Sequence, residues 1–290
     1  MIFLPQGFPA AERLRQEGGK AEEFPLRARG GNSRTFLFLN LMPFKPQTDW
    51  DFVRMLANVG EDLKLLPLKI KGQTYKSTSM EHMNAFYVDF EEVEADNFAG
   101  LIITGSPVEQ LPFEEVRYWP QLCRIMDWAD THVTHTLYVC WGAQAGLYHH
   151  YGIPKYALSE KRFGIFTHRV LCPSPLFEGL TPTFLMPNSR HTEVRRSDIE
   201  TVVNKNLHIV AEGDESGVGI VATEDLRRVF VVGHMEYACE TLHNEYHRDI
   251  AKNLPIHLPE HYYTPDGKIN FSWRDDALRF YRNWARLTLV

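Results

Sequence analysis

The chain has 290 residues, of which 44% are hydrophobic, 12% aromatic and 23% charged. This is the make-up of a folded globular protein, and it excludes disordered, collagen-like and low-complexity architectures. With 31 Lys and Arg against 37 Asp and Glu the formal charge is −6, so the basic surface that a nucleic-acid scaffold requires is missing.

The opening MIFLPQGFPAAERLRQEGG has no basic segment followed by an apolar one, so it does not read as a secretory signal. Residues 16–34 are rich in Gly and charge without apolar periodicity, and residues 1–35 are expected to form a flexible arm. Residues 36–290 then read as a single α/β domain. Phe36 to Leu41 is short, almost wholly apolar and stopped by Pro43, as a buried strand would be. Asp49 to Val59 places Phe52, Met55, Leu56 and Val59 on one helix face. Lys64 to Ile70 is a second strand and Ser79 to Tyr87 a short helix. Gly100 to Gly105 is a third strand closed by a Gly-Ser-Pro turn, followed by a helix around Tyr118 to Ala129 and a strand at Thr136 to Val139. Apolar strands separated by helix-length segments indicate a parallel sheet covered on both faces. Leu207 to Ala211, Gly217 to Ala222 and Val229 to Val232 are close enough in sequence to pair as a meander beside it, and Asp276 to Arg286 is a terminal helix. The expected fold is a doubly wound, mixed but mostly parallel sheet. No apolar run reaches membrane-spanning length.

Three places in this scheme could carry chemistry. Cys140 ends a strand and opens the small-residue stretch Trp141 to Leu147, the strand–nucleophile–helix pattern that exposes a side chain at the carboxyl edge of a sheet. A helix beginning just beyond it favours thiolate, and the Trp141 N–H could stabilise an oxyanion. Free cysteine is also commonly buried and inert, and the local context leaves both roles open. Gly233-His234-Met235-Glu236 follows an apolar strand. If the backbone stays extended, His234 and Glu236 share a side, where one can act as base and the other fix its tautomer. Gly105-Ser106-Pro107 could aim backbone N–H groups at a substrate. The four cysteines include no CxxC pair, and His149-His150 lacks further ligands at metal spacing, so neither a disulfide framework nor a metal site is expected. A reducing cytoplasm is the expected location.

At these segments the chain resembles the homoserine O-acyltransferases of methionine biosynthesis, a branch of the class I glutamine amidotransferase-like superfamily. The matching motifs are LNLMP at 39–43, FAGLIITGSPVE at 98–109, YWPQL at 118–122, LYVCWGAQAGL at 137–147 and YGIPK at 151–155. EKRFGIFTHRV at 160–170, PNSRHTEV at 187–194, GHMEY at 233–237 and the stretch 245–248 complete the set. The resemblance implies transfer of an acyl group from an acyl-CoA to an amino-acid hydroxyl. Cys140 is then the acyl-thioester residue, His234 the general base and Glu236 its orienting partner. Lys161, Ser189 and Arg248 fall where the family binds its amino acid, and Arg190 is a further candidate for gripping the substrate carboxylate. Glu109 matches the position where glutamate goes with acetyl and glycine with succinyl transfer. Acetyl-CoA and L-homoserine are therefore the expected substrates. The resemblance also brings a possible homodimer and no resident cofactor, metal, nucleic acid or membrane. Serine or another hydroxy amino acid as acceptor, succinyl-CoA as donor, and a glutaminase subunit on the same fold are the alternatives. The last is disfavoured by CWGAQ in place of a Gly-x-Cys-x-Gly stretch.

Overall fold

The apolar runs become strands of one twelve-stranded sheet in the computed structural model, which describes residues 1–26, 31–32, 34–75, 77–202 and 206–289. The first half of the chain runs β1 (Ile2–Pro5), α1 (Pro9–Gln16), β2 (Ala21–Phe24), β3 (Thr35–Leu39), α2 (Lys45–Leu56), β4 (Leu63–Lys69), α3 (Met80–Phe86), β5 (Val88–Asp89), β6 (Phe98–Ile103), α4 (Trp119–His132) and β7 (Val133–Val139). It continues with α5 (Trp141–Tyr151), β8 (Tyr156–Val170), β9 (Thr183–Glu193), α6 (Arg196–Glu200), β10 (Leu207–Gly213), β11 (Gly217–Thr223), β12 (Arg228–Val231), α7 (Thr241–Ala251) and α8 (Arg274–Thr288).

The strands lie in the order β2-β1-β4-β3-β6-β7-β12-β11-β10-β8-β9, with β5 also on β4. From β2 to β12 neighbours run parallel. From β12 to β9 they run antiparallel. Side-chain alternation divides each central strand between two cores. Phe36, Phe38, Leu137 and Val139 face the layer that contains residues of α1, α2 and α8. Leu37, Leu39 and Tyr138 face the layer built from α4 and α5. Both faces are thus covered, as the near-continuous apolar strands require.

The structure corrects the expectation of a flexible arm over residues 1–35. β1 lies between β2 and β4, and Ile2 and Leu4 are fully buried. Its apolar run is only four residues, too short to register as a period. β2 reads Ala-Glu-Glu-Phe because it is an edge strand whose carboxylates face outward. Residues 27–30 and 33 of the Gly-rich stretch lie outside the described residues. The β8–β9 hairpin was also not anticipated. Lys, Arg, His, Asn and Ser interrupt the apolar residues of its strands, so they lack the apolar signature of β3 or β6. The meander β10–β11–β12 pairs as expected.

Because Leu4 is fully buried within this sheet, Leu4→Ala is expected to lower stability by about 2–4 kcal/mol in urea unfolding. An unchanged midpoint would mean that β1 is peripheral.

Candidate active site

Cys140 sits directly after β7 and caps α5 with φ 53° and ψ −117°. An L-residue holds positive φ only against steric resistance, and such strain concentrates at functional sites. Two features of the sequence allow it here. The Cys140 N–H donates to the Val231 carbonyl at 2.7 Å, so β12 grips the strand up to the turn. Position 142 is glycine, and a Cβ there would come within 2.7 Å of the carbonyl oxygens of Ile103 and Thr104. The first turn of α5 can therefore lie against the end of β6. Trp141 supplies a first-turn N–H, for which no intrahelical acceptor exists. The turn after β6 approaches from the other side: a Cβ on Gly105 would stand 3.7 Å from both Cys140 Sγ and Trp141 N. The thiol and the expected oxyanion donor thus share one corner.

His234 and Glu236 reach that corner from the loop after β12, the strand beside β7. The backbone does not stay extended, as expected from sequence, but turns at residues 235–236. The pair still forms, with His234 Nδ1 2.7 Å from Glu236 Oε1, and both residues are buried. Nδ1 is therefore engaged, and Nε2 is the atom left for the hydrogen bond to Cys140. Burial acts to keep the imidazole neutral, but the Cys140 and Glu236 charges and hydrogen bonds outweigh it and hold its pKa well above the usual histidine range.

Groups that the sequence gave no reason to single out fix this loop. The imidazole stacks on Tyr237 at a centroid distance of 4.1 Å, and the Tyr281 hydroxyl of α8 donates to Glu236 Oε2 at 3.4 Å. Arg54 of α2 donates to the carbonyls of Glu236 at 2.9 Å and Tyr237 at 3.1 Å. Asp51, one turn earlier, is fully buried. Burial and then the nearby Glu236 charge push its carboxyl well above the usual carboxylate range. The available signal was that α2 buries Asp51 as well as its apolar stripe, and helical periodicity does not report that.

The expected substrate residues separate into two groups. Lys161 Nζ lies 2.7 Å from Glu245 Oε1 and 3.4 Å from Asp249 Oδ2. Ser189 donates to the same Glu245 oxygen at 2.8 Å. Arg248 bonds Asp249 at 2.7 Å and Glu245 at 3.3 Å. One polar node therefore joins β8, β9 and α7, with Glu245 and Asp249 as its undetected hubs. Arg190 is not part of it. Its guanidinium is buried and donates to Asn188 Oδ1 and to the carbonyls of Thr192 and Ser216. The reading of Arg190 as a substrate-carboxylate partner is thereby corrected: its fork is already occupied inside the protein. Glu109 is anchored by the His191 N–H at 2.9 Å, and Thr192 links it to Gln144 of α5.

Comparison with known proteins decides the family. The family model described as homoserine O-succinyltransferase matches residues 1–289. The chain belongs to this family. Among curated relatives, the homoserine O-acetyltransferase of Bacteroides fragilis is 47% identical, covering 98% of this chain and 94% of that protein. The protein of the same name from Geobacillus kaustophilus is 45% identical over 98% and 95%. Solved structures show the fold alone. A glutamine amidotransferase from Thermotoga maritima aligns with a TM-score of 0.56 at 11% identity, over 89% of this chain and 100% of that one. One from Methylobacillus flagellatus gives 0.54 at 12%, over 88% and 91%. The doubly wound sheet of this O-acyltransferase family member is thus the class I glutamine amidotransferase-like fold. Among its described residues, Glu215, Glu260 and His261 alone bring ligand atoms within 4.8 Å of one another as a metal would require. That group includes no residue of the Cys-His-Glu corner.

The strained backbone makes a direct prediction. Cys140→Gly should be more stable than Cys140→Ala by about 1–2 kcal/mol, because only glycine adopts positive φ freely. Equal melting temperatures for the two variants would show that the turn carries no strain.

Proposed function

We propose that this chain moves an acetyl group from acetyl-CoA to the hydroxyl of L-homoserine through an acyl-thioester on Cys140, in methionine biosynthesis. The observation that carries the reading is the Cys140–His234–Glu236 arrangement at the head of α5, in a chain nearly half identical to proteins named homoserine O-acetyltransferase. The thiolate attacks the thioester carbonyl, and the oxyanion forms against the Trp141 N–H. The carbon–sulfur bond to CoA breaks, and the departing CoA sulfur takes the imidazolium proton. Neutral His234 then accepts the homoserine hydroxyl proton at Nε2 as the oxygen attacks the acyl-enzyme. The Cys140 thiolate is expelled and the thiolate–imidazolium pair is restored. One thioester replaces another in the first half, so little free energy is lost there.

The node around Glu245 suits an amino acid. The side chain of Arg248 is about half exposed and can turn its remaining N–H groups to a carboxylate. Glu245, with Lys161 and Ser189 on one oxygen, can receive an ammonium. Glu109 supports acetyl as the acyl group, because a fixed carboxylate in the acyl pocket repels and obstructs the free carboxylate of a succinyl chain. Acetyl-CoA is a co-substrate in this reading, with no resident cofactor, and small molecules are its partners. No helix among the described residues is long and apolar enough to cross a membrane, which fits a cytoplasmic biosynthetic enzyme.

The reading is tested by CoA release from acetyl-CoA with homoserine, with serine and without acceptor, alongside mass analysis of Cys140. Homoserine should give the fastest release, and an acetyl adduct should build up on Cys140 when no acceptor is present. The one-methylene difference between the acceptors is expected to be worth ~1–3 kcal/mol in kcat/KM. Faster release with serine would move the acceptor assignment, and full turnover by Cys140→Ala would remove the mechanism. For Glu109→Gly, the ratio of succinyl-CoA to acetyl-CoA use should rise by about tenfold or more, a change of ~1.4 kcal/mol. An unchanged ratio would overturn the role given to Glu109.

A further inference from the structure

The turn that replaces the expected extended backbone after β12 has its corner at Met235 and Glu236, so His234 and Tyr237 stand at its two ends. Residues at the ends of a four-residue turn are neighbours, because their Cα atoms lie less than about 7 Å apart. Here the two rings meet face to face: the imidazole and phenol centroids are 4.1 Å apart and the planes are 14° from parallel. Among the described residues the next shortest contact between a histidine and a Phe, Tyr or Trp ring is 4.9 Å, and it is edge-on. Two neutral aromatic rings settle in offset or edge-to-face arrangements with centroids about 4.5–7 Å apart. The His234–Tyr237 pair is closer than that.

Tyr237 is itself fixed from two elements. Its carbonyl accepts from Arg54 Nη2 of α2 at 3.1 Å and from Trp273 Nε1, at the head of α8, at 3.0 Å. His234 is held at its N–H by the Pro187 carbonyl at 2.8 Å and at Nδ1 by Glu236 at 2.7 Å. Cys140 and Glu236 therefore act at the edges of the imidazole, whereas the phenol ring covers a face. A cation over the face of an aromatic ring, within ~6 Å of its centroid, is attracted by the ring quadrupole, and more strongly where water is excluded. His234 is 6% exposed, so that condition is met.

We propose that Tyr237 is a positioning residue whose aromatic face fixes the plane of the His234 imidazole and stabilises the positive charge that this ring gains as the base. The proposal rests on the reading of His234 as the general base of an acyl transfer. The charge appears when the acceptor O–H bond breaks and Nε2 takes the proton. The freed oxygen pair bonds the acyl carbon and the Cys140 thiolate leaves. A neutral imidazole gains less from the ring face than a charged one, so the contact favours the transition state over the ground state and raises the rate. The ring is what this requires, and the hydroxyl is dispensable.

The test is the single-turnover rate at which homoserine discharges acetylated Cys140 in the full-length protein, with phenylalanine or pentafluorophenylalanine in place of Tyr237. Fluorination withdraws electron density from the ring face and leaves the ring's shape nearly unchanged, a change to which a merely structural role is indifferent. The conservative variant, Tyr237→Phe, keeps the ring and should retain the rate within about threefold. The pentafluoro ring should be about tenfold slower than Tyr237→Phe at saturating homoserine, with the half-saturating concentration within about twofold. A fall of less than about threefold between the two overturns the proposal. Slowing of Tyr237→Phe itself beyond about threefold also overturns it and assigns the effect to the hydroxyl. If the pentafluoro protein fails to melt cooperatively, a trifluorinated ring decides: a fall of about twofold or more relative to Tyr237→Phe supports the proposal, and a smaller one overturns it. The unmodified protein and His234→Gln separate the two levels. If no acetyl adduct forms on Cys140, if homoserine does not discharge it, or if His234→Gln discharges it as fast, the acyl-transfer reading falls and takes the proposal with it. If discharge depends on His234 but not on fluorination at residue 237, the proposal falls alone.

Discussion

Holding a cysteine at φ 53° at the junction of β7 and α5 requires that both neighbours of the turn be fixed, and much of the architecture serves that end. β12 supplies the carbonyl that receives the Cys140 N–H, and β6 supplies the carbonyls against which Gly142 packs. The same β12 delivers His234 one loop later. The strand that stabilises the unfavourable backbone is thus also the strand that brings the imidazole. From there the support spreads outward. Arg54 of α2 and Tyr281 of α8 lock the His234–Glu236 turn from the opposite layer of helices, and Pro187 of β9 binds the His234 N–H from the side.

The fold does not choose the reaction. Glutamine amidotransferases share this sheet at 11–12% identity, and one fold can host many unrelated activities. The difference lies in what surrounds the corner. In this chain the β8–β9 hairpin and α7 bring Lys161, Ser189, Arg248, Glu245 and Asp249 into one node. The loop after β6 contributes Glu109, fixed by the His191 N–H. The hairpin strands of the node thus lie at the antiparallel end of the sheet, whereas Glu109 follows a parallel strand.

What could be read from the sequence followed the strength of the apolar signal. The parallel strands β3, β4, β6 and β7 were visible because burial on both faces leaves an unbroken apolar run. The elbow at Cys140 was visible because such a run ends abruptly in small residues. β1 was hidden by its shortness and β2 by its edge position. The β8–β9 hairpin was hidden because polar and charged residues interrupt its apolar ones. The same cause explains Arg190. Beside Ser189 in a polar stretch it reads as a substrate ligand, and only the alternation of β9, invisible without its pairing partner, shows that the guanidinium points inward. Arg54 and Asp51 were concealed on a helix that buries more than its apolar stripe.

The position of β12 in the sheet has a consequence for how the active protein comes into being. β7 and β12 are spatial neighbours, yet the whole β8–β9 hairpin and the β10–β11 pair lie between them in the chain. Pairings this distant in sequence form late, since the entropy of closing the intervening loop must be met before the contact contributes. During synthesis the thiol leaves the ribosome well before the histidine of the same corner. Until β12 inserts, Cys140 has neither its imidazole partner nor the carbonyl that holds its backbone. The Cys-His-Glu corner therefore arrives only with completion of the sheet, and a partly made or partly unfolded chain carries a cysteine free of the backbone strain that the finished turn imposes.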